Sequence, residues 1–311
     1  MTVKNILLIR NDRFGEFLLN IPAFRALKIK FPQAKIALIT NPYLRDLAGC
    51  IEGIDEIISW ENKKHSLKNV LLLVSKLRKK KFDLSVVFNP MAESHLIVFL
   101  AGIPLRVGYD RKWGFLLTHK IPDLKKLAAK HEVEYNLDLV KLIGAEAGFE
   151  QLYLALDGGT IKENSVIIHP WTSDTRKQWP GHKFVLLAQR LIHELNLKVI
   201  FIGGKDELAG SEELLKGFGQ EVTDLTGKTN LKELAILIKQ SQLLISADSG
   251  PVHLASCVGT PVIAIFRNDL PGKTATRWGP KSKGCVVLED NDLSAISVED
   301  VFIKAKEILK V

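Results

Sequence analysis

Short apolar runs alternate with longer amphipathic stretches along almost the whole chain. The short runs are rich in Ile, Val and Leu, and this pattern is typical of strands that are buried on both faces. In the longer stretches the apolar residues recur every three or four positions, which predicts helices with one buried side. The alternation therefore predicts an α/β fold built from parallel sheets with helices on both faces.

The predicted elements form two successive blocks. In the first half we expect strands at residues 5–10, 35–40, 55–60, 83–88 and 106–109, and helices at about 16–31, 42–48, 67–81, 93–101 and 132–143. In the second half we expect strands at 165–169, 198–203, 243–246, 261–266 and 285–288, and helices at about 180–194, 206–218, 231–241, 251–258 and 298–309.

The two blocks meet in a segment with turn chemistry, residues 144–162, which contains AEAGFE and DGGT. We therefore predict two Rossmann-like domains, residues 1–155 and 156–311, whose parallel sheets face each other across a central cleft. In open sheets of this type, ligands bind outside the carboxyl ends of the strands.

Composition adds limits on class and location. The chain has 311 residues, 46% of them hydrophobic and 25% charged, as in ordinary soluble proteins. The first residues, MTVKNILLIRND, predict a strand and not a signal peptide. Three scattered cysteines, Cys50, Cys257 and Cys285, fit a reducing compartment. We expect a cytoplasmic protein.

The positive charge is confined to the first half. Residues 1–155 carry 24 Lys or Arg against 16 Asp or Glu, whereas residues 156–311 carry 19 of each. A basic half suggests an anionic partner such as nucleic acid, anionic lipid or a phosphorylated saccharide, although it also serves solubility. The basic run 78–81 ends a predicted helix, where cations are favourable in any case; contact with lipid head groups is the functional alternative.

One candidate ligand segment is HPWTSDTRKQWP at 169–180, directly after a predicted strand. Thr172 and Ser173 offer hydroxyl groups, and Lys177 offers a compact cation that suits a phosphate. Trp179 and Pro180 fit a helix start with Pro at the first helical position. We interpret His169, which closes the strand, as structural.

A second candidate segment is SADSGPVH at 246–253, which follows another predicted strand. Ser249 or Gly250 is expected to cap the next helix, whose free N–H groups would then form an anion site. Asp248 and His253 lie on either side of this turn. Between the two segments, the glycine pair 203–204 precedes Asp206 and Glu207. Either carboxylate would accept from ribose hydroxyls or an adenine amine, although an ordinary turn explains the segment equally well.

The segment NDRFGEFLLN at 11–20 supplies a candidate base. Gly15 permits a tight turn, and Glu16 would project from a helix N-terminus, where an ionised carboxylate is favoured. Such a group takes a proton from an attacking hydroxyl, although acids are common in first turns for stability alone. No phosphate-binding loop of the GxxxxGK[ST] type is present. The Asp-x-Asp at 290–292 lies late in the chain and is interpreted as a solvated turn, so a ligand's phosphates would be neutralised by helix ends and Lys177.

Taken together, the chain resembles the ADP-heptose:lipopolysaccharide heptosyltransferases, glycosyltransferase family 9. The resemblance covers nearly the full length and rests on ILLIRNDRFGEFLLNIPAFRALK, HEVEYNLDLVKLIG, HPWTSDTRKQWP and SADSGPVHLASCVGTPVIAIF. It implies a GT-B fold and a metal-independent, inverting transfer of heptose from ADP-heptose to the lipopolysaccharide inner core. It implies no cofactor besides the ADP-sugar substrate.

The resemblance also assigns roles to residues. In the family a Gly-Asp pair opens the first helix and its Asp is the general base; here the pair is Gly15-Glu16, one methylene longer. Arg13 and Gly15 become acceptor-side candidates. The implied donor residues in the second domain are Thr172, Ser173, Lys177, Glu207, Asp248, Ser249, Gly250 and His253.

Alternatives remain at this point. The same motifs would serve a family member that uses another nucleotide sugar or acceptor, or a nucleotide-sugar-binding protein without turnover. A nucleic-acid partner is disfavoured because no recognised module is present. We expect a protein at the periphery of the inner membrane, where a lipid-linked, anionic saccharide acceptor would meet the basic domain.

Overall fold

The chain folds into two compact units in the computed structural model, which describes residues 2–61, 63–156, 163–218 and 220–311. The units span Met1–Ala155 and Leu156–Val311. The DGGT part of the predicted linker, within 157–162, lies outside the described residues. No described helix is long and apolar enough to cross a membrane.

Unit 1 contains six strands and six α-helices among its described residues. The strands are β1 (Asn5–Ile9), β2 (Lys35–Thr40), β3 (Glu56–Ser59), β4 (Leu84–Val87), β5 (Leu105–Asp110) and β6 (His119–Pro122). The helices are α1 (Phe14–Leu18), α2 (Ile21–Lys30), α3 (Arg45–Ala48), α4 (Leu67–Lys80), α5 (Ala92–Leu100) and α6 (Glu132–Lys141).

Unit 2 also has six strands and six α-helices among its described residues. Its strands are β7 (Ser165–His169), β8 (Lys198–Phe201), β9 (Val222–Asp224), β10 (Leu243–Ala247), β11 (Val262–Arg267) and β12 (Val286–Asp290). Its helices are α7 (Gly181–Leu195), α8 (Leu208–Leu215), α9 (Leu231–Gln240), α10 (Gly250–Val258), α11 (Ala275–Trp278) and α12 (Val298–Leu309).

The two sheets have the same topology. The strand order is β3-β2-β1-β4-β5-β6 in unit 1 and β12-β11-β10-β7-β8-β9 in unit 2. Every pairing is parallel, for example Leu7 with Ser85 and Ile168 with Ile245. The order in unit 1 is the Rossmann order 3-2-1-4-5-6, and unit 2 has the same form of doubly wound sheet, with its first strand inside the sheet. The predicted fold class of two Rossmann-like parallel sheets is confirmed.

Each sheet is buried because helices cover it. In unit 1, α4 and α5 pack together on one face, where Leu73 and Val98 meet Leu7 and Ile39 in a single apolar cluster. In unit 2, α7 and α12 pack together over β7 and β10. The strands are apolar at nearly every position because both of their faces are covered.

The single helix predicted at 16–31 is wrong, because the structure has two helices there, α1 and α2. Pro22 at the start of α2 has no N–H group to continue the ladder of the preceding turn. The Asn20 side chain instead donates to the Glu16 carbonyl at 2.6 Å. The break makes α1 a short helix directly after β1.

Two edge strands, β6 and β9, were not predicted. The sequence of β6 is HKIP, and only its Ile121 is an unambiguous strand former. The sequence of β9 is VTD, three residues long. Each strand lies at the end of its sheet and lacks the apolar run that marks an inner strand.

The start of α7 also differs from the prediction. Pro180 is the N-cap residue and the helix begins at Gly181, so Pro180 is not the first helical residue. The preceding Trp179 is fully buried, its indole N–H donates to the Ile296 carbonyl at 3.0 Å, and its ring meets Phe184 edge to face. Trp179 thereby joins α7 to the segment before α12.

We expect Trp179→Ala to lower the free energy of unfolding by ~3–5 kcal/mol, because a large cavity remains and the indole hydrogen bond is lost. Urea titration followed by circular dichroism measures this loss. The matched control is Trp113→Ala, at an exposed tryptophan, which should change stability by less than ~1 kcal/mol. Equal losses in the two variants would show that Trp179 has no special place in the core.

Candidate functional site

Each sheet has one point where the chain leaves two neighbouring strands toward opposite faces. In unit 1 this point lies between β1 and β4, and in unit 2 it lies between β7 and β10. Such a switch point leaves an open crevice at the carboxyl ends of the strands, where ligands of doubly wound sheets bind. The predicted site residues of both units follow these strands.

In unit 1 the crevice is bordered by an ion pair. Arg10, directly after β1, donates from Nη1 to the carbonyl of Phe88 after β4, at 3.3 Å. Its Nε lies 2.7 Å from Oδ1 of Asp12, in a geometry too bent for an aligned hydrogen bond. Burial works against the charge of Arg10, but the surrounding acids outweigh burial and raise its pKa. A cation is therefore fixed at the crevice floor.

The candidate base Glu16 lies in the first turn of α1, half-buried, with the buried Gly15 before it. Burial raises the pKa of the Glu16 carboxyl, and the nearby Asp12 carboxylate raises it further, whereas Arg10 and the exposed Arg13 lower it. A hydrogen bond from the backbone N–H of Glu16 to its own carboxylate also lowers this pKa. The group is thus a carboxylate of raised basicity in the first turn of α1.

A buried polar network supports α1 from α6. Lys125 Nζ lies 2.5 Å from Glu132 Oε1 and 3.2 Å from Asn136 Oδ1. Asn136 in turn donates to the Leu19 carbonyl at the end of α1, at 3.1 Å. Lys125 and Glu132 are both almost fully buried, so their pairing compensates two charges that would be costly alone.

Sequence reasoning missed this network and also Tyr43. Tyr43 follows β2 and donates its hydroxyl to the Asp12 carbonyl at 3.1 Å. Burial and the Asp12 and Glu16 charges raise the pKa of Tyr43 to about 12, so it stays a neutral donor. The sequence feature that would have indicated Tyr43 is its position just after β2, the strand that pairs with β1.

In unit 2 the two predicted segments meet at the switch point. Lys177, from the loop after β7, places Nζ 2.6 Å from Oδ2 of Asp248, directly after β10. Both side chains are largely buried. Burial raises the pKa of Asp248, and the adjacent Lys177 opposes that rise. The predicted cation therefore lies where the two segments converge, already oriented by a carboxylate.

Ser249 occupies the N-cap position of α10, which is one of the two predicted alternatives, although its side chain makes no cap hydrogen bond. Its hydroxyl instead donates to the Ala247 carbonyl and lies 3.0 Å from His169 Nδ1. The helix begins at Gly250, so Pro251 is its second residue. The predicted His253 is buried one turn further on, its ring 6.3 Å from that of Trp278.

His169 is buried at the end of β7 and contacts both Ser249 and Ser246. Burial lowers its pKa to about 3, so the imidazole is neutral at physiological pH. These contacts agree with the structural role expected for His169, since they hold the start of α10 against β7.

Beside the Thr172–Ser173 loop lies a second cation, Lys273, that the sequence did not reveal. The Thr172 hydroxyl accepts from the Asp174 N–H at 3.4 Å, and Ser173 is exposed. The Asp174 carboxylate binds Lys273 at 2.8 Å and also Arg176, and these hydrogen bonds hold its pKa far below the ordinary range. Lys273 belongs to the loop after β11, so three strand ends contribute to this site.

Glu207 lies apart from this cluster, at the neighbouring end of β8. Its carboxylate covers Gly204, where an added Cβ would lie 2.7 Å from Oε2. Trp171 packs on Gly203 in the same way, since a Cβ added there would lie 2.8 Å from the indole ring. The glycine pair therefore makes room for these two side chains, and Glu207 keeps a half-buried position at a strand end.

Among the described residues, no group of three or more His, Cys, Asp or Glu side chains is arranged to hold a metal ion. The polar groups at the unit 2 crevice are instead cations paired with carboxylates and one helix start. This donor set suits an anion.

Comparison with known proteins gives one family. The sequence model of glycosyltransferase family 9 (heptosyltransferase) matches residues 70–304. The chain is 28% identical over 277 residues to lipopolysaccharide heptosyltransferase 3 of Escherichia coli, which covers 81% of this chain and 80% of that protein. It is 26% identical over 294 residues to lipopolysaccharide heptosyltransferase 2 of E. coli K12, covering 86% and 84%.

Among solved structures, E. coli ADP-heptose lipopolysaccharide heptosyltransferase II superimposes with a TM-score of 0.85 at 21% identity, covering 98% of both chains. E. coli heptosyltransferase WaaC with ADP superimposes with a TM-score of 0.80 at 18% identity, covering 98% and 99%. At these identities the structural likeness establishes the fold, which is that of these two-domain enzymes.

The buried His169 predicts a pH dependence of stability. Its pKa is lowered in the folded chain, so the unfolded chain binds one more proton between pH 3 and pH 6.5. His169 should therefore make the free energy of unfolding fall by ~1.4 kcal/mol for each unit of pH decrease in that window. Urea titrations between pH 4 and pH 6 should show a slope smaller by this amount in His169→Gln. His119→Gln, at an exposed histidine, should keep the slope of the unchanged protein.

Proposed function

The chain belongs to glycosyltransferase family 9, the heptosyltransferases, and we propose that it moves heptose from ADP-heptose to a lipopolysaccharide inner-core acceptor. The observation that carries the proposal is the convergence of Lys177, Asp248 and Ser249 at the switch point of unit 2. The names of the relatives support the choice of donor and acceptor.

Unit 2 is proposed to hold the donor. Its crevice offers Lys177, Lys273 and the start of α10 at Gly250 as the positive groups that a diphosphate would contact. Thr172 and Ser173 add hydroxyl donors, and His253 lies one turn into α10. Glu207, at the next strand end, would accept from the nucleoside. No metal and no cofactor is required in this proposal, because cations and N–H groups neutralise the phosphates.

Unit 1 is proposed to hold the acceptor, with Glu16 as general base and Arg13 and Gly15 beside it. A carboxylate with a raised pKa is a stronger base than an ordinary glutamate.

The proposed reaction is a single displacement with inversion. Glu16 takes the proton of an acceptor hydroxyl as that oxygen forms a bond to the anomeric carbon of the heptose. The bond between this carbon and the β-phosphate oxygen breaks on the opposite face, and ADP leaves with the electron pair. Lys177, Lys273 and the N–H groups of α10 stabilise the charge that develops on the departing diphosphate.

The proposed location is the cytoplasmic side of the inner membrane, where a lipid-linked anionic acceptor is presented. The other function that the site admits is transfer from a different nucleotide sugar, because the described groups of the crevice address a diphosphate more directly than a sugar. Nucleic acid is not a proposed partner.

Calorimetry without metal and with a chelator tests the donor site. ADP and ADP-heptose should bind, and Lys177→Ala should weaken binding ~10-fold or more, the value of one charge-assisted hydrogen bond. The matched control is Lys283→Ala, at an exposed lysine of the same unit, which should bind as the unchanged protein does. Binding of another nucleotide sugar but of no adenine nucleotide would overturn the assignment of ADP-heptose.

Glu16→Gln should reduce heptose transfer ~10²–10⁴-fold while ADP-heptose binding stays unchanged, because only the proton acceptor is lost. Glu16→Asp keeps a carboxylate and should retain more turnover than the amide variant. Full turnover in Glu16→Gln would eliminate Glu16 as the base.

In a plot of kcat/KM against pH, the acid limb, where activity falls as the pH decreases, reports the pKa of the base in the free enzyme. Since Asp12 raises the pKa of Glu16, Asp12→Asn should move this limb to lower pH, and the freed Arg10 acts in the same direction. Asp46→Asn, at an exposed carboxylate on α3, is the control and should leave the limb in place. A limb that does not move in Asp12→Asn would contradict the electrostatic coupling of Asp12 and Glu16.

A further inference from the structure

The net charge of the chain is concentrated in one segment. Residues 63–82 contain eight Lys or Arg side chains and no Asp or Glu, which equals the formal net charge of +8 of the whole protein. The remaining residues carry 35 cations and 35 acids. Most of this segment is α4 and its C-cap residue Lys81. The positive and negative charges of the chain are thus equal in number except in α4 and the residues that flank it in this segment.

The same helix exposes leucines. Val70, Leu73, Val74 and Leu77 form its buried side, whereas a second apolar set points to solvent. The members of this second set are Leu67, Leu71 and Leu72, which are 69%, 50% and 53% exposed. On a helical wheel Lys68, Leu72 and Lys79 lie within about 40° of one another on the outward side. Exposed apolar residues that cluster in this way mark an interaction surface.

The exposed apolar surface continues from α4 across the end of α5. Arg78 Nε donates to the Leu100 carbonyl at 2.8 Å, and a groove lined by Leu71, Val74, Ser75, Arg78, Lys79 and Leu100 joins the two helices. Phe99 is exposed beside it, with the Arg106 guanidinium 5.5 Å from its ring centre. Arg106 also donates to the Leu116 carbonyl, next to Phe115, which is 71% exposed.

We propose that this α4–α5 face, defined by Leu67, Leu71, Leu72, Lys68, Lys79 and Phe99, docks the protein on an anionic lipid bilayer. Lysines attracted by a negative surface and leucines that enter the head-group region are the two contributions that hold interfacial helices on membranes. This face fits an anionic bilayer because the negative charge of such a bilayer is spread over its whole surface. No acidic residue on α4 interrupts the positive surface.

The acids nearest to this segment in sequence are already engaged at its edges. Glu56 pairs with Lys80 at 2.8 Å, and Glu61 pairs with Lys63. Asp83 accepts from the backbone N–H groups of Lys4 and Asn5. These pairings leave the lysines at the centre of the outward side, Lys68 and Lys79, for the membrane.

The inference rests on the proposed function only in its choice of a bilayer as the place where the acceptor is found. The α4–α5 face contains none of the residues proposed to bind donor or to act as base. Docking through this face would restrict the chain to the surface that presents lipid-linked saccharides, which raises the local acceptor concentration without any change in the chemistry.

Sedimentation with vesicles tests the proposal. The protein should bind vesicles of phosphatidylcholine containing phosphatidylglycerol, and should bind vesicles of phosphatidylcholine alone much more weakly. Lys68→Gln with Lys79→Gln should lower the partition coefficient ~25-fold, at about fivefold for each lysine near an anionic surface. Leu71→Ser with Leu72→Ser should lower it ~10-fold or more through the loss of apolar burial. High salt should weaken binding of the unchanged protein.

The matched control is Ile29→Ser with Lys30→Gln on α2, where Ile29 is 61% exposed in the same unit. This variant should bind vesicles as the unchanged protein does, and thermal unfolding checks that all variants are folded. Equal loss in the control, or no preference for anionic vesicles, would overturn the docking face.

Two further readouts separate this inference from the proposed function. ADP-heptose binding by calorimetry, and transfer to a water-soluble acceptor saccharide, should be unchanged in the α4 variants. Vesicle binding by a protein that binds no ADP-sugar would contradict the proposed function alone. ADP-sugar binding and transfer without vesicle binding would contradict the docking face alone.

Discussion

The arrangement of the candidate site depends on one constraint, the parallel pairing of two neighbouring strands whose chains continue to opposite faces of the sheet. In unit 2 these are β7 and β10, paired from Leu243 with Val166 to Ser246 with His169. Because the connections diverge, a crevice opens at the carboxyl ends of this pair. The polar residues that follow the strands must therefore satisfy one another there or be satisfied by a ligand. Lys177 with Asp248 and His169 with Ser249 are the contacts that result.

Buried charge compensation is the second condition for such a crevice. An ammonium or carboxylate group taken out of water is costly unless it is paired and hydrogen-bonded. Lys125 with Glu132 in unit 1 and Lys177 with Asp248 in unit 2 satisfy this condition through residues on different loops and helices. Since truncation of one partner leaves the other buried and uncompensated, these pairs also fix the geometry of the loops that carry them. The pairs thus supply preorganisation more than stability.

Much of the fold could be predicted because inner parallel strands are nearly continuous apolar runs and the helices between them are amphipathic. Prediction failed where another effect was stronger: Pro22 divides the first helix, and the edge strands β6 and β9 are too short and polar to show the pattern. In the site, residues directly after strands were predictable. The pairing of Lys273 with Asp174 was not, because it joins loops 99 residues apart and depends on the order of strands in the sheet.

The distribution of charge must be interpreted at the level of surfaces and not of domains. Unit 2 has no formal net charge, although its crevice contains the cations Lys177 and Lys273. These cations add no net charge there because Asp248 pairs with Lys177 and Asp174 pairs with Lys273. An anionic ligand would share these cations with their carboxylates, so the neutral total is no argument against diphosphate binding. In unit 1 the reverse holds. Its crevice pairs Arg10 with Asp12, while the net charge of the chain is matched by the cations of residues 63–82. The basic character of this half therefore belongs to the segment 63–82, most of which is α4, and not to the crevice that holds Glu16.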